Sequence, residues 1–144
     1  YATEIGKLFP EVTVEEQACP MWVPLVEYGE SNAPGADYFV EKYTSELMQR
    51  DPKIDTIILG CTHYPLLRPK IREALPESVE LISQGELVAS SLADYLLRHP
   101  EMEHRLSQGG EISYRTTECP EKFEELASIF TGTEVRATRV KITG

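Results

Sequence analysis

The chain has 144 residues, 41% of them hydrophobic, with a formal net charge of −10 and a pI near 4.8. That size can bury one core or parts of two, and no apolar run approaches the roughly 18 residues of a membrane span. The acidic balance argues against nucleic acid or an anionic membrane surface as partner, since both need a basic footprint, and it gives no long-range steering of an acidic substrate.

The sequence opens at Tyr1, without a signal peptide and without an initiating methionine, as expected for a stretch from inside a longer chain. Ala2 to Phe9 reads as the tail of a helix, with Ile5, Leu8 and Phe9 at helical spacing. Val12 and Val14 suggest a strand leading into the segment Cys19 to Glu27. Turn residues Ser31-Asn32-Ala33-Pro34-Gly35 follow, and Phe39, Val40, Tyr43 and Leu47 mark one face of a helix ending near Asp51-Pro52. Asp55 to Leu59 (DTIIL) is a short buried strand, rich in β-branched residues. Pro65, Leu66, Leu67, Ile71 and Leu75 form the helix behind it, which places Cys61, Thr62 and His63 on the connecting loop.

Pro76-Glu77-Ser78 is a turn and Val79 to Ile82 a strand. Ser83-Gln84-Gly85-Glu86 has the form of a capping box ahead of a helix carrying Leu87, Val88, Leu92, Tyr95 and Leu96. His99-Pro100 ends that helix, and the polar stretch to Gly110 is the longest loop. Ile112 to Arg115 is a strand, Pro120 to Phe130 a helix with Phe123, Leu126 and Phe130, and Glu134 to Ile142 a last strand. This alternation predicts an α/β fold, a mainly parallel sheet with helices on both faces.

The chemistry concentrates at Gly60-Cys61-Thr62-His63-Tyr64-Pro65. The carboxyl end of a strand in an open α/β sheet is where ligands bind, and a helix N-terminus there offers N–H groups to an anion. The same positive end lowers a cysteine's pKa and enriches the thiolate. The three cysteines, Cys19, Cys61 and Cys119, form no CxxC pair, which fits a reducing cytoplasm better than a disulfide scaffold. Cys61 with His63 could start a metal site only if the fold brought His99, His104 or Cys119 to them, and the spacing matches no zinc pattern, so no metal is expected. Cys19 and Cys119 read as structural, and His99 and His104 as solvent-facing. Arg68, Lys70 and Arg72 read as solvated helix charges.

The string LGCTHYPLL resembles the second cysteine motif of the glutamate racemases, and Ala18-Cys19-Pro20-Met21-Trp22-Val23-Pro24-Leu25-Val26-Glu27-Tyr28-Gly29 resembles their ACP-x-x-VPLVE-x-G segment. The resemblance implies a cofactor-independent isomerase that interconverts L- and D-glutamate and supplies D-glutamate for peptidoglycan. It implies two α/β domains with the active site in the cleft between them. Residues 1 to 82 would be most of the second domain, and residues 83 to 144 the returning segment of the first. The family's N-terminal half, with its first catalytic cysteine in a CNTA-type motif, has no counterpart here.

Inverting a stereocentre needs one group to remove the Cα proton and another to protonate the opposite face. By this resemblance Cys61 is one of the two thiols, the base toward L-glutamate and the acid toward D-glutamate. His63 keeps that thiol reactive or shares its proton, and also lies among the substrate-binding residues. Thr62 binds a substrate carboxylate, and Glu27 contacts the substrate ammonium or assists proton transfer. No Gly-rich phosphate loop or other pyridoxal phosphate signature is present, so fixed dipoles would have to stabilise the carbanion-like transition state. The expected partner is a small molecule, glutamate, and a homodimer stays open. The alternatives are an aspartate racemase of the same superfamily, a cysteine-nucleophile hydrolase or transferase, and a non-catalytic module.

Overall fold

The computed structural model describes residues 1–142; Thr143 and Gly144, the end of the segment 83 to 144, lie outside the described residues. The chain divides into two compact units, one from Tyr1 to Gln84 and one from Gly85 on. The fold class is α/β, and each strand pair is parallel.

In the first unit, helix α1 spans Ala2–Leu8, α2 Trp22–Glu27 and α3 Pro34–Arg50. Strand β1 is Thr56–Leu59, and β2 is Glu80–Ser83. They pair in the register Thr56 to Glu80, Ile57 to Leu81, Ile58 to Ile82 and Leu59 to Ser83. The β-branched run Thr56-Ile57-Ile58 suits the pleated surface. Pro34 at the first turn of α3 supplies a φ already set for helix, and α3 buries Ala36, Val40, Tyr43 and Thr44. Ala36, Val40 and Tyr43 join Cys19, Trp22, Val26, Leu59, Leu67, Ile71, Leu75, Val79 and Leu81 in one core. Trp22 stands edge-on to Tyr64 at 4.8 Å between ring centroids, and its Nε1–H donates to the Phe39 carbonyl at 3.3 Å.

The helix expected behind β1 is broken in two. Tyr64–Leu67 is a 3₁₀ turn, and α4 runs only from Arg68 to Glu73. Pro69 explains the break: it has no N–H for an α-helical bond to Pro65, and its ring would crowd that carbonyl. The Arg68 amide takes the Pro65 carbonyl instead. The strand expected at Val12 and Val14 does not form. Val12 N–H turns back to the Phe9 carbonyl at 3.1 Å, and residues 13–17 pair with no strand among the described residues.

Two of the three basic residues after the loop are not solvated charges. Lys70 is largely buried and pairs with Asp37 on α3. Arg72 donates to the carbonyls of Leu75, Pro76 and Val79, fastening the end of α4 to the approach to β2.

In the second unit, α5 is Gln84–Arg98, starting one residue inside the first, and α6 is a single turn, Pro100–Glu103, inside the stretch expected to be loop. Strand β3 (Tyr114–Thr116) pairs with β4 (Ala137–Arg139), and α7 (Pro120–Thr131) connects them. Both strands are shorter than the alternation suggested. Ser83 is the last residue of β2 and directly precedes α5. Val135 is buried, and the Glu124 carboxylate accepts the Ala137 N–H at 2.7 Å. The apolar face of α5 is present but unburied, with Leu87, Val88 and Leu92 all more than half exposed. His99, expected in solvent, is half-buried and stacks on Tyr95 at 4.1 Å.

Candidate active site

Three pieces of the first unit converge at the end of β1. Gly60 leaves the strand where a Cβ would lie 3.2 Å from the Tyr1 ring, a tighter approach than an ordinary contact. The loop that follows closes as a tight turn: Tyr64 N–H donates to the Cys61 carbonyl at 3.2 Å and Leu66 N–H to the His63 carbonyl at 3.1 Å. This holds Cys61 and His63 on one short arc. The edge contact of Trp22 with Tyr64 packs α2 against the 3₁₀ turn and brings the last residue of α2, Glu27, to the same place.

Glu27 owes its position to the way α2 ends. Glu30 N–H donates to the Leu25 carbonyl at 2.8 Å and Gly29 N–H to the Val26 carbonyl at 3.1 Å, with Gly29 at φ +71°. This is the Schellman arrangement, in which a left-handed residue, best filled by glycine, caps the last helical carbonyls.

His63 Nε2 lies 3.1 Å from Glu27 Oε1. An ionised carboxylate only accepts, so Nε2 carries the proton and Nδ1 is left with a lone pair. Nδ1 lies 3.7 Å from Cys61 Sγ and 3.4 Å from Thr62 Oγ1. The arrangement sets a thiol beside an imidazole that can accept its proton, with a carboxylate that can orient the imidazole. The side chain of His63 is 22% exposed and that of Glu27 47%, so both reach the surface of this unit.

Cys61, Thr62, His63 and Glu27 are thus gathered, Glu27 from 36 residues away in sequence. Cys19 is not part of this chain of bonds. Burial, reinforced by the Glu46 carboxylate, pushes its thiol from an ordinary 9.0 to about 12, so it stays protonated. Tyr64, beneath the loop, is also raised, first by burial and then by the charges that Cys19 and Cys61 would carry. The support given by Trp22 and Tyr64 has no signature of its own in the sequence, although both flank the motifs. Cys119 is exposed and donates to Glu121 at 2.7 Å. Among the described residues no three His, Cys, Asp or Glu side chains gather as a metal site, and no helix is long and apolar enough to cross a membrane.

No protein-family model matches the chain. It is similar to the glutamate racemase of Geobacter metallireducens, 37% identical over 132 residues, which are 92% of this chain and 48% of that relative. Among solved structures it superposes on a glutamate racemase isoform of Bacillus anthracis with a TM-score of 0.80 at 30% identity, covering 99% of this chain and 52% of that one. It superposes equally, with a TM-score of 0.80 at 26% identity, on the glutamate racemase of Francisella tularensis solved with D-glutamate, again covering 52% of that chain. The chain spans about half the length of the curated relatives it matches.

Proposed function

We propose that these residues, similar along nearly their whole length to glutamate racemases, are the part of such an enzyme that carries one of its two proton-transfer groups. The reaction is the interconversion of L- and D-glutamate at Cα, serving peptidoglycan synthesis, in the reducing cytoplasm that its free thiols suit. Residues 1–82 belong to the second racemase domain and residues 83–144 to the returning part of the first. The observation that carries this reading is the line of contacts from Glu27 through His63 to Cys61, at 3.1 and 3.7 Å, in a chain with these relatives.

Cys61 donates its proton to His63 Nδ1, and the resulting imidazolium is held by Glu27. The thiolate removes the Cα proton of L-glutamate, while a second group, outside this chain, protonates the opposite face. In the other direction Cys61–H is the donor. Thr62, whose hydroxyl also reaches Nδ1, holds a substrate carboxylate in this reading.

The test uses the full-length enzyme. Cys61→Ser keeps size and hydrogen bonding but raises the side-chain pKa far above neutrality, so racemisation should fall at least 1,000-fold, roughly, with glutamate binding retained. In D₂O the wild-type product should carry deuterium at Cα. A Cys61→Ser enzyme working at near wild-type rate ends this reading.

A further inference from the structure

Trp22 is the single tryptophan of the sequence and is only 4% exposed. It stands at one of the two unspecified positions of the ACP-x-x-VPLVE-x-G segment, so the resemblance gives it no role. Helix α2, which it opens, has six residues and no side-chain cap at its N-terminus. A helix that short does not hold itself in water, so its place and tilt come from what it buries. It buries two side chains, Trp22 and Val26. Val26 offers shape alone. Trp22 also offers direction, since an indole has an edge, a face and one N–H that needs an acceptor when buried.

The indole stands edge-on to Tyr64, with 4.8 Å between ring centroids and 83° between planes, and its centroid lies 6.1 Å from that of Tyr43 on α3. Its Nε1–H donates to the Phe39 carbonyl, also on α3, at 3.3 Å. Tyr64 directly follows His63, and its own N–H closes the loop on the Cys61 carbonyl at 3.2 Å. Glu27 ends the helix that Trp22 begins, five residues and about 7.5 Å along the axis. Both sides of the 3.1 Å contact between His63 and Glu27 are therefore referred to one buried ring, the imidazole through Tyr64 and the carboxylate through α2.

We propose that Trp22 is a positioning residue: it sets how α2 lies against the 3₁₀ turn, and through that the Glu27–His63 contact that orients Nδ1 toward Cys61. This rests on the proton-transfer reading above and goes beyond it by naming the side chain on which the geometry depends. Loss of the ring leaves Cys61, His63 and Glu27 present but loosens the angle between them, and misplacement of that kind costs rate.

The experiment compares Trp22→Leu, Trp22→Phe, Glu27→Gln and the double variant carrying Trp22→Leu and Glu27→Gln in the full-length enzyme, with Cys61→Ser alongside. Trp22→Leu has neither the ring edge nor the N–H and should lower kcat/KM roughly 10-fold. Trp22→Phe keeps an edge toward Tyr64 and should recover most of that loss. Because Trp22 acts through Glu27, adding Glu27→Gln to Trp22→Leu should cost little more, where independent effects would multiply. The primary isotope effect with deuterium at Cα of L-glutamate, the bond that Cys61 breaks, should rise in Trp22→Leu, while that with deuterated D-glutamate should not. Losses that multiply, or an isotope effect unchanged while Tm falls, would overturn the inference and leave Trp22 a core residue only. If Trp22→Leu does not fold, Tyr64→Leu removes the same edge contact from the loop side, and multiplication with Glu27→Gln there overturns it equally. A Cys61→Ser enzyme that still racemises would overturn the proton-transfer reading itself, whereas an inactive one beside multiplying losses would overturn only the role of Trp22.

Discussion

In the proposed relay, His63 works through the difference between its two nitrogens. With Nε2–H donated to Glu27 at 3.1 Å, Nδ1 is turned toward Cys61 Sγ at 3.7 Å, where its lone pair can accept the thiol proton. Glu27→Gln keeps an acceptor for Nε2–H but removes the charge. A charge-assisted bond exceeds a neutral one by roughly 1 kcal/mol at a partly exposed site, so kcat from L-glutamate should fall about 5-fold with KM nearly constant. The D-glutamate direction, in which Cys61 begins protonated, should suffer less. Equal loss in both directions, or a change in KM alone, would place Glu27 on the substrate instead. Cys19 gives a second, independent test. Its pKa is raised by burial, so the unfolded thiol ionises above about 9 while the folded one waits until about 12. Stability from this group is therefore full below pH 9 and is lost as pH rises toward 12, by about 1.4 kcal/mol per pH unit. Tyr64 adds loss of the same sign at higher pH. Urea unfolding at pH 8 and pH 10.5 should show a smaller pH dependence for Cys19→Ala than for wild type; identical slopes would contradict a buried neutral thiol.

Among the elements, α2 matters most to the site because its C-terminal cap aims Glu27. A Cβ added at Gly29 would point into open space, so Gly29→Ala meets no clash and its cost comes from φ +71° alone. A non-glycine residue there costs roughly 1 to 2 kcal/mol. The variant should melt several degrees lower and, because the last turn of α2 shifts, should also copy part of the Glu27→Gln kinetic defect. A lower Tm with kinetics untouched would show that Glu27 finds His63 without that cap. Such elements were legible in the sequence to different degrees. The run Thr56-Ile57-Ile58 and the spacing of Val40 and Tyr43 carry local signals, and β1 and α3 form where those signals lie. Residues 12–17 do not become a strand, because pairing is a property of two segments and no described strand lies alongside them. The break at Pro69 could have been read from the missing N–H alone. The meeting of Glu27 with His63 has no local signal, since no spacing rule links residues 36 apart. Only the resemblance of the two motifs to one family pointed to it.

For the whole molecule, the question is what keeps copies of a chain with open apolar surfaces apart. In α5, Leu87, Val88, Leu92 and Tyr95 are 57%, 64%, 56% and 40% exposed, and Ile58 lies on an open edge. Contiguous apolar surface of this kind drives association, and unpaired strand edges do the same. A net charge of −10 opposes it, since each copy repels the next. The two effects respond differently to salt. The Debye length is about 30 Å at 0.01 M and about 3 Å at 1 M, so repulsion between copies is largely screened at high salt while apolar attraction is not weakened. The 144-residue chain should therefore sediment mostly as a monomer in 0.01 M sodium chloride and form dimers or larger species in 1 M, with 1-anilinonaphthalene-8-sulfonate fluorescence high in dilute samples and falling as association buries the faces it stains. A short chain that remains monomeric and unstained at both salt concentrations would mean that these faces are already closed in solution, and that charge has nothing to hold apart.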